Sequence, residues 1–337
     1  MLRLIFTSLI TMITIIFIMF AQLFTNVQTK SDDIETSVTP KYHIQLFTED
    51  TNEYFWARFQ EGASDASREL SVYPEFITVP QKNIDALGNA IDMGVNAGVD
   101  GLAFTAADSI NTQELIEYSE DEGVLVVTYE NDSYFLPNTP VVGTNSYSLG
   151  YMAGEMALEA TDKHANAVLI IPDSVEDSDM QYKNMIVQGL LESFSSYSTI
   201  NLTDTLTINS EMFEAEKLTS TIINEYKDVD LIISMDERST PGVAQSLVDN
   251  NMVGDIKLIG YGLMPQTIEY IKKGVIYGTI YPNSYQIGYE VVSQLYKVLE
   301  GDQVSDYIDT DLYTVTAQDL ESTDLIIDKE FILNHEK

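Results

Sequence analysis

Strand-like and helix-like segments alternate along this chain from about residue 41 onwards, and that rhythm constrains its fold more than any other feature. Apolar strand runs lie at Tyr42–Thr48, Glu75–Val79, Asp100–Phe104, Val124–Thr128, Ala165–Ile171, Asp230–Ser234, Ile256–Gly260 and Val275–Tyr281. Between them, helical periodicity covers Ile84–Ala97, Tyr147–Ala160, Met180–Phe194, Phe213–Tyr226 and Tyr285–Leu299. Such alternation builds parallel sheets covered by helices on both faces. More elements are present than one small sheet holds, so the chain is read as α/β with two lobes. The run Pro140–Gly154 breaks the rhythm and is the candidate crossover between them.

Charge narrows the partners. The chain carries 53 Asp+Glu against 17 Lys+Arg, a formal net charge of −36. Such a field repels nucleic acid and anionic lipid headgroups, and it favours a neutral ligand over an anionic one. There are no cysteines, which excludes disulfides and thiolate metal sites, and only His43, His164 and His335 supply imidazole. No Walker loop, GxSxG elbow, HExxH or EF-hand spacing occurs. The reading is a protein that is not an enzyme and uses no metal or cofactor.

The N-terminus sets the compartment. Leu4–Phe24 is a run of 21 residues without a charge, preceded by Arg3 and followed by the acidic SDDIE. At about 1.5 Å per residue this run crosses a hydrocarbon core of about 30 Å. The positive end is expected to stay inside and the body to be exported. Residues 1–28 are therefore read as an uncleaved signal anchor, with cleavage and secretion as the alternative, and 29–40 as a linker.

Trp56, the only tryptophan, falls where the first strand hands over to a helix reading NEYFWARFQEGASDASREL. Phe55, Phe59, Ala63 and Ala66 make that helix's buried stripe, and Trp56 is expected one column round, outside it. In open α/β sheets ligands bind beyond the carboxyl ends of the strands, so the indole is placed to face one. A flat apolar ring there suits a sugar.

The pieces FWARFQEGA (55–63), GVDGLAFTAADS (98–109), GVLVVTYEND (123–132), VGTNSYSLGYMAGE (142–155), LIISMDERSTPGVA (231–244), IKLIGYGLMPQTIEYIKKGVIYGTIYPNSYQIGYE (256–290) and LYTVTAQDL (312–320) run in a familiar order. The chain resembles bacterial extracytoplasmic sugar-binding proteins of the ribose/galactose type, whose lobes also form the effector domains of lac-repressor-like regulators. The resemblance implies two Rossmann-like lobes joined by a three-strand hinge: lobe 1 from 41–143 plus 283–309, and lobe 2 from 144–282 plus 310–337.

It also implies a ligand site. Phe55 and Trp56 match the paired aromatics that sandwich a sugar ring, and Glu53 lies beside them. Glu130 and Asn131 follow the strand GVLVVT, and Thr144 and Ser146 lie at the first crossover. Asn184 falls where an Arg often grips hydroxyls, Asp236 matches a family Asn or Asp, and Tyr261 matches an aromatic after IKLIG. Structural roles compete for several of these: Glu53 also answers a helix dipole, Asn131 suits a turn, and Asp236 suits a helix cap. The sequence departs from the pattern at Gly262, where an Asp is frequent, and at Pro282, where a Gln is frequent. Neither expected arginine is present.

These readings converge on an anchored extracytoplasmic protein that closes on a small neutral ligand, a carbohydrate. Its partner is either the permease of an ABC transporter or a membrane sensor kinase. A lobe pair acting only as a protein-interaction module is the remaining alternative. The uncleaved anchor and the lack of a lipid-bearing cysteine lean towards a sensor. So does the linker, whose reach at about 5–6 Å × √n is about 20 Å.

Overall fold

Strands β1 (Tyr42–Glu49), β2 (Val72–Val79), β3 (Gly101–Thr105), β4 (Leu125–Tyr129), β5 (Val141–Gly143) and β11 (Tyr307–Asp309) form one sheet, in the order β11-β5-β4-β3-β1-β2. The second sheet is ordered β12-β10-β9-β8-β6-β7. Its strands are β6 (Ala165–Pro172), β7 (Ile200–Ile208), β8 (Leu231–Ser234), β9 (Lys257–Tyr261), β10 (Gly278–Pro282) and β12 (Leu312–Thr316). All neighbours pair parallel except the antiparallel edge strand β12 on β10. The computed structural model describes residues 39–50, 53–81, 83–105, 109–129, 139–173, 177–209 and 212–321. The apolar N-terminal segment and nearly all of the linker lie outside these. No helix among the described residues is long and apolar enough to cross a membrane.

Each sheet is buried on both faces, as its near-continuous apolar strands require. In the first, Ile44 and Leu46 of β1 face helices α1 (Glu53–Leu70) and α9 (Ser284–Glu300). Phe47, Leu102 and Phe104 face α2 (Ile84–Ala97) and α3 (Ser109–Asp121). In the second, Ala167, Leu169 and Ile171 pack under α4 (Ser146–Ala160) and α5 (Asp177–Phe194). Val168 and Ile170 pack under α6 (Met212–Glu225), α7 (Thr240–Asp249) and α8 (Pro265–Lys272). A short helix α10 (Ala317–Glu321) ends the described chain.

The two sheets repeat one plan. In each, an Asp just before the third strand clamps the first: Asp100 Oδ2 accepts His43 N–H at 2.7 Å, and Asp230 Oδ1 accepts Asn166 N–H at 2.7 Å. Each also has one helix pair in glycine-mediated contact. A Cβ on Gly62 of α1 would overlap Tyr285 O of α9, and one on Gly288 would overlap Phe59 O. In α4 and α5, Gly150 stands against Ile186 O and Gly189 against Tyr147 O in the same reciprocal way. Tyr285 reinforces the first pair by donating its hydroxyl to Asp65 Oδ2 at 2.9 Å. That bond, with Arg68 second, holds the Asp65 carboxyl below its ordinary pKa.

The chain passes between the sheets three times, after β5, after β10 and after β11. At the first two passages an asparagine caps the helix that follows. Asn145 Oδ1 accepts Ser148 N–H at 2.9 Å at the start of α4, and Asn283 Oδ1 accepts Gln286 N–H at 3.1 Å at the start of α9. The passages are also bonded side by side. Thr310 N–H donates to Gly143 O at 2.9 Å, Asn145 N–H to Asp309 Oδ1 at 3.2 Å, and Asn283 N–H to Asp311 O at 2.9 Å.

The expectation that Trp56 stands outside the buried stripe of α1 is corrected. Its ring is 6 % exposed and meets Phe55, Phe59 and Tyr129 edge-on at centroid distances of 4.8, 5.4 and 6.1 Å. At about 100° per residue, Trp56 falls only about 20° round the helix from Ala63, so it belongs to the margin of a broad stripe.

Two outcomes follow for stability. Trp56→Ala empties a packed aromatic cluster and lowers stability by about 3–5 kcal/mol in denaturant unfolding, whereas Trp56→Phe is far milder. Gly288→Val and Gly150→Val each drive a side chain into the opposing helix backbone, and calorimetry should show losses of about 1–3 kcal/mol.

Candidate functional site

In both sheets the strand order reverses direction beside the first strand: β1 is flanked by β2 and β3, and β6 by β7 and β8. The carboxyl ends of the central strands at such a reversal leave a crevice where α/β proteins bind ligands. The two crevices are the candidate site.

Lobe 1, the half built on the first sheet, brings the end of β1 and the first turn of α1. Thr48 is buried and its hydroxyl lies 3.1 Å from that of Thr78 on β2. Asp50 N–H donates to Val79 O at 3.1 Å, and Asp50 Oδ1 accepts Gln81 N–H at 3.0 Å, which fixes the segment after β2. Lobe 2 repeats the arrangement: Asp173 N–H, after β6, donates to Ile208 O at the end of β7 at 2.6 Å. Asp173 also lies 3.7 Å from Lys183 Nζ on α5.

The end of β8 is the richest in charge, with Asp236, Glu237 and Arg238 in succession. Asp236 is 8 % exposed; its Oδ2 accepts Ser239 N–H at 2.8 Å and also the Ser239 hydroxyl. It therefore holds the turn that leads into α7, while the N-cap position itself is Ser239, so the capping role that the sequence allowed Asp236 is not the one it takes. Arg238 extends the other way, donating from Nη1 to Gln81 Oε1 of lobe 1 at 3.2 Å. Tyr54, at the start of α1 in lobe 1, packs against the apolar cluster of lobe 2 that includes Leu263 and Tyr281. The lobes thus meet across the crevice.

The other expected residues distribute unevenly. Phe55, like Trp56, is 6 % exposed within the lobe 1 core. Glu53 opens α1, and its side chain lies outside the described residues, as do Glu130 and Asn131 entirely. Thr144 is half-buried and Ser146 is 2 % exposed, at the first passage between sheets. Asn184 is exposed on α5. Tyr261 ends β9 half-buried, its N–H 3.3 Å from Thr240 Oγ1, next to the strand that delivers Asp236. Sequence reasoning missed Gln81, Glu237 and Arg238. The signal for the last two was DER following the apolar run LIISM, since whatever follows a central strand faces the crevice. Arg238 also brings a guanidinium to a site where the sequence reading expected none.

Comparison with known proteins agrees with this geometry. The D-allose-binding periplasmic protein of Escherichia coli (strain K12) is 17 % identical over 243 residues, covering 69 % of this chain and 77 % of its own. GanP, a glucose-galactose binding protein from Geobacillus stearothermophilus, superimposes with a TM-score of 0.73 at 25 % identity, covering 83 % of this chain and 99 % of GanP. The XylFII–LytSN complex contains a chain of the same fold, with a TM-score of 0.68 at 21 % identity, covering 83 % of this chain and 99 % of that one. The periplasmic binding protein domain model matches residues 44–303. With its two Rossmann-like lobes and three-strand hinge, the chain belongs to the periplasmic binding protein domain family.

Proposed function

We propose that this protein is an extracytoplasmic receptor that closes its lobes on a small neutral polyhydroxylated ligand, a sugar. The observation that carries this reading is the meeting of two crevices across a three-strand hinge, bridged at Arg238–Gln81. Hinge closure buries a ligand and reshapes the outer surface in one movement. Carboxylates at the end of β8 suit a ligand with donating hydroxyls. The net charge of −36 works against an anionic one. The sugars that give related proteins their names, D-allose and glucose-galactose, point the same way.

For the use of the bound state, the favoured reading is sensing at the membrane, with closure presented to the extracellular part of a receptor. The apolar run Leu4–Phe24 and the lack of a cysteine for lipid attachment support a fixed anchor. The likeness to the XylFII chain, which forms a complex with LytSN, supports a partner other than a permease. Delivery to a transporter remains the second reading, supported by the family's sugar-binding periplasmic members.

Thermal-shift measurement on the full chain in detergent, against neutral pentoses, hexoses and polyols, tests the ligand. A specific sugar at about 100 times its Kd adds about 2.7 kcal/mol to apparent stability and raises Tm by several degrees. No shift with any neutral sugar or polyol overturns the reading. Fractionation tests the anchor: the chain stays in the membrane pellet after a high-salt wash and leaves it only with detergent. Release by salt, or recovery in the medium, overturns the anchor.

A further inference from the structure

The helices that follow the first two passages between the sheets begin alike: NSYSLGY at 145–151 and NSYQIGY at 283–289. Their glycine contacts match as well. Gly189 stands against Tyr147 O as Gly62 stands against Tyr285 O, and Gly150 against Ile186 O as Gly288 against Phe59 O. The two helix pairs therefore correspond residue by residue, α4 to α9 and α5 to α1.

In lobe 1 both tyrosines of the motif are engaged. Tyr285 donates to Asp65 Oδ2 at 2.9 Å and Tyr289 to Glu69 Oε2 at 2.7 Å. The Arg58 guanidinium, paired with Glu61, lies 5.3 Å from the centre of the Tyr285 ring. In lobe 2 the same tyrosines stand open. Tyr147 is 37 % exposed and Tyr151 41 %, and neither has a hydrogen bond or ring partner among the described residues. The counterparts on the α5 side have changed: Glu192 keeps the acid of Asp65, but Ser196 stands for Glu69 and Met185 for Arg58. What lobe 2 lacks, relative to lobe 1, is the cation over the first ring.

We propose that this face of α4 and α5 docks a protein partner by an arginine-bearing surface, whose guanidinium takes the place over Tyr147 that Arg58 takes over Tyr285. The proposal rests on the receptor reading above and names the chemistry of the partner. Tyrosines one turn apart supply rigid apolar area and hydroxyl donors, a combination that anchors interfaces, and an arginine stacks on such a ring. Charge selects the same partner. Glu155 and Glu192 are exposed on these two helices, and the chain's net charge of −36 attracts a basic surface and repels an acidic one.

The chain has no cysteine, so Ser148→Cys, exposed between the two tyrosines, gives a single attachment point for a photo-crosslinker. The full chain carrying it is irradiated in membranes of the cells that make it, and the joined peptides are identified by mass spectrometry. The expected product joins position 148 to the extracytoplasmic part of a membrane protein, at a segment containing arginine. Its yield falls about tenfold or more when Tyr147→Ala and Tyr151→Ala are combined. Met185→Arg keeps both tyrosines and supplies the guanidinium from within the chain, so it lowers the yield to a similar extent with the melting temperature unchanged. No cross-link, a cross-link to a second copy of this chain, or one to a segment without basic residues overturns the proposal. So does a yield that Met185→Arg leaves at the parent level. The sugar-induced thermal shift is the same in parent and variants; its absence from the parent overturns the receptor reading, whereas its presence without the cross-link overturns only the docking face.

Discussion

The hydrogen bonds between the three inter-sheet passages hold everything else in place. Gly143 with Thr310, Asn145 with Asp309 and Asn283 with Asp311 bind three separate stretches of backbone into one narrow ribbon. A parallel sheet has its useful end where the strands stop, and one such end makes only half a pocket. Because the ribbon joins the sheets beside their carboxyl ends, the two halves share a single gap. Two of those bonds join backbone groups, and the third ends on the Asp309 side-chain oxygen.

The two halves solve the same folding problem with the same devices. Asp100 and Asp230 clamp the first strand of each sheet, and Asp50 and Asp173 tie its end to the second. Asn145 and Asn283 start the helix that follows a passage. Reciprocal glycines let α1 approach α9, and α4 approach α5, until side-chain and backbone atoms touch.

Much of the architecture was legible because buried parallel strands announce themselves as apolar runs. Ile44–Phe47, Val168–Ile171 and Leu231–Ile233 could hardly be anything else. The strands that escaped notice lie nearer the margins. β7 reads INLTDTLTI, largely polar and with little of it fully buried, since an edge strand needs apolar residues on one side only. β11 has three residues and no periodicity to detect. Trp56 was misjudged because a stripe drawn through residues four apart is thinner than the face two covering elements bury. The candidate site was less legible still. Glu237 and Gly262 follow the ends of different strands, and their interlock follows from one backbone angle and one side-chain reach that no spacing rule encodes.

The solitary indole has a spectroscopic consequence. All tryptophan emission from the chain originates at position 56, buried against Phe55, Phe59 and Tyr129 in lobe 1. Tyr129, with its ring 6.1 Å away, is close enough to pass excitation to it efficiently. The molecule consequently carries its own unlabelled optical gauge, positioned inside the core of lobe 1.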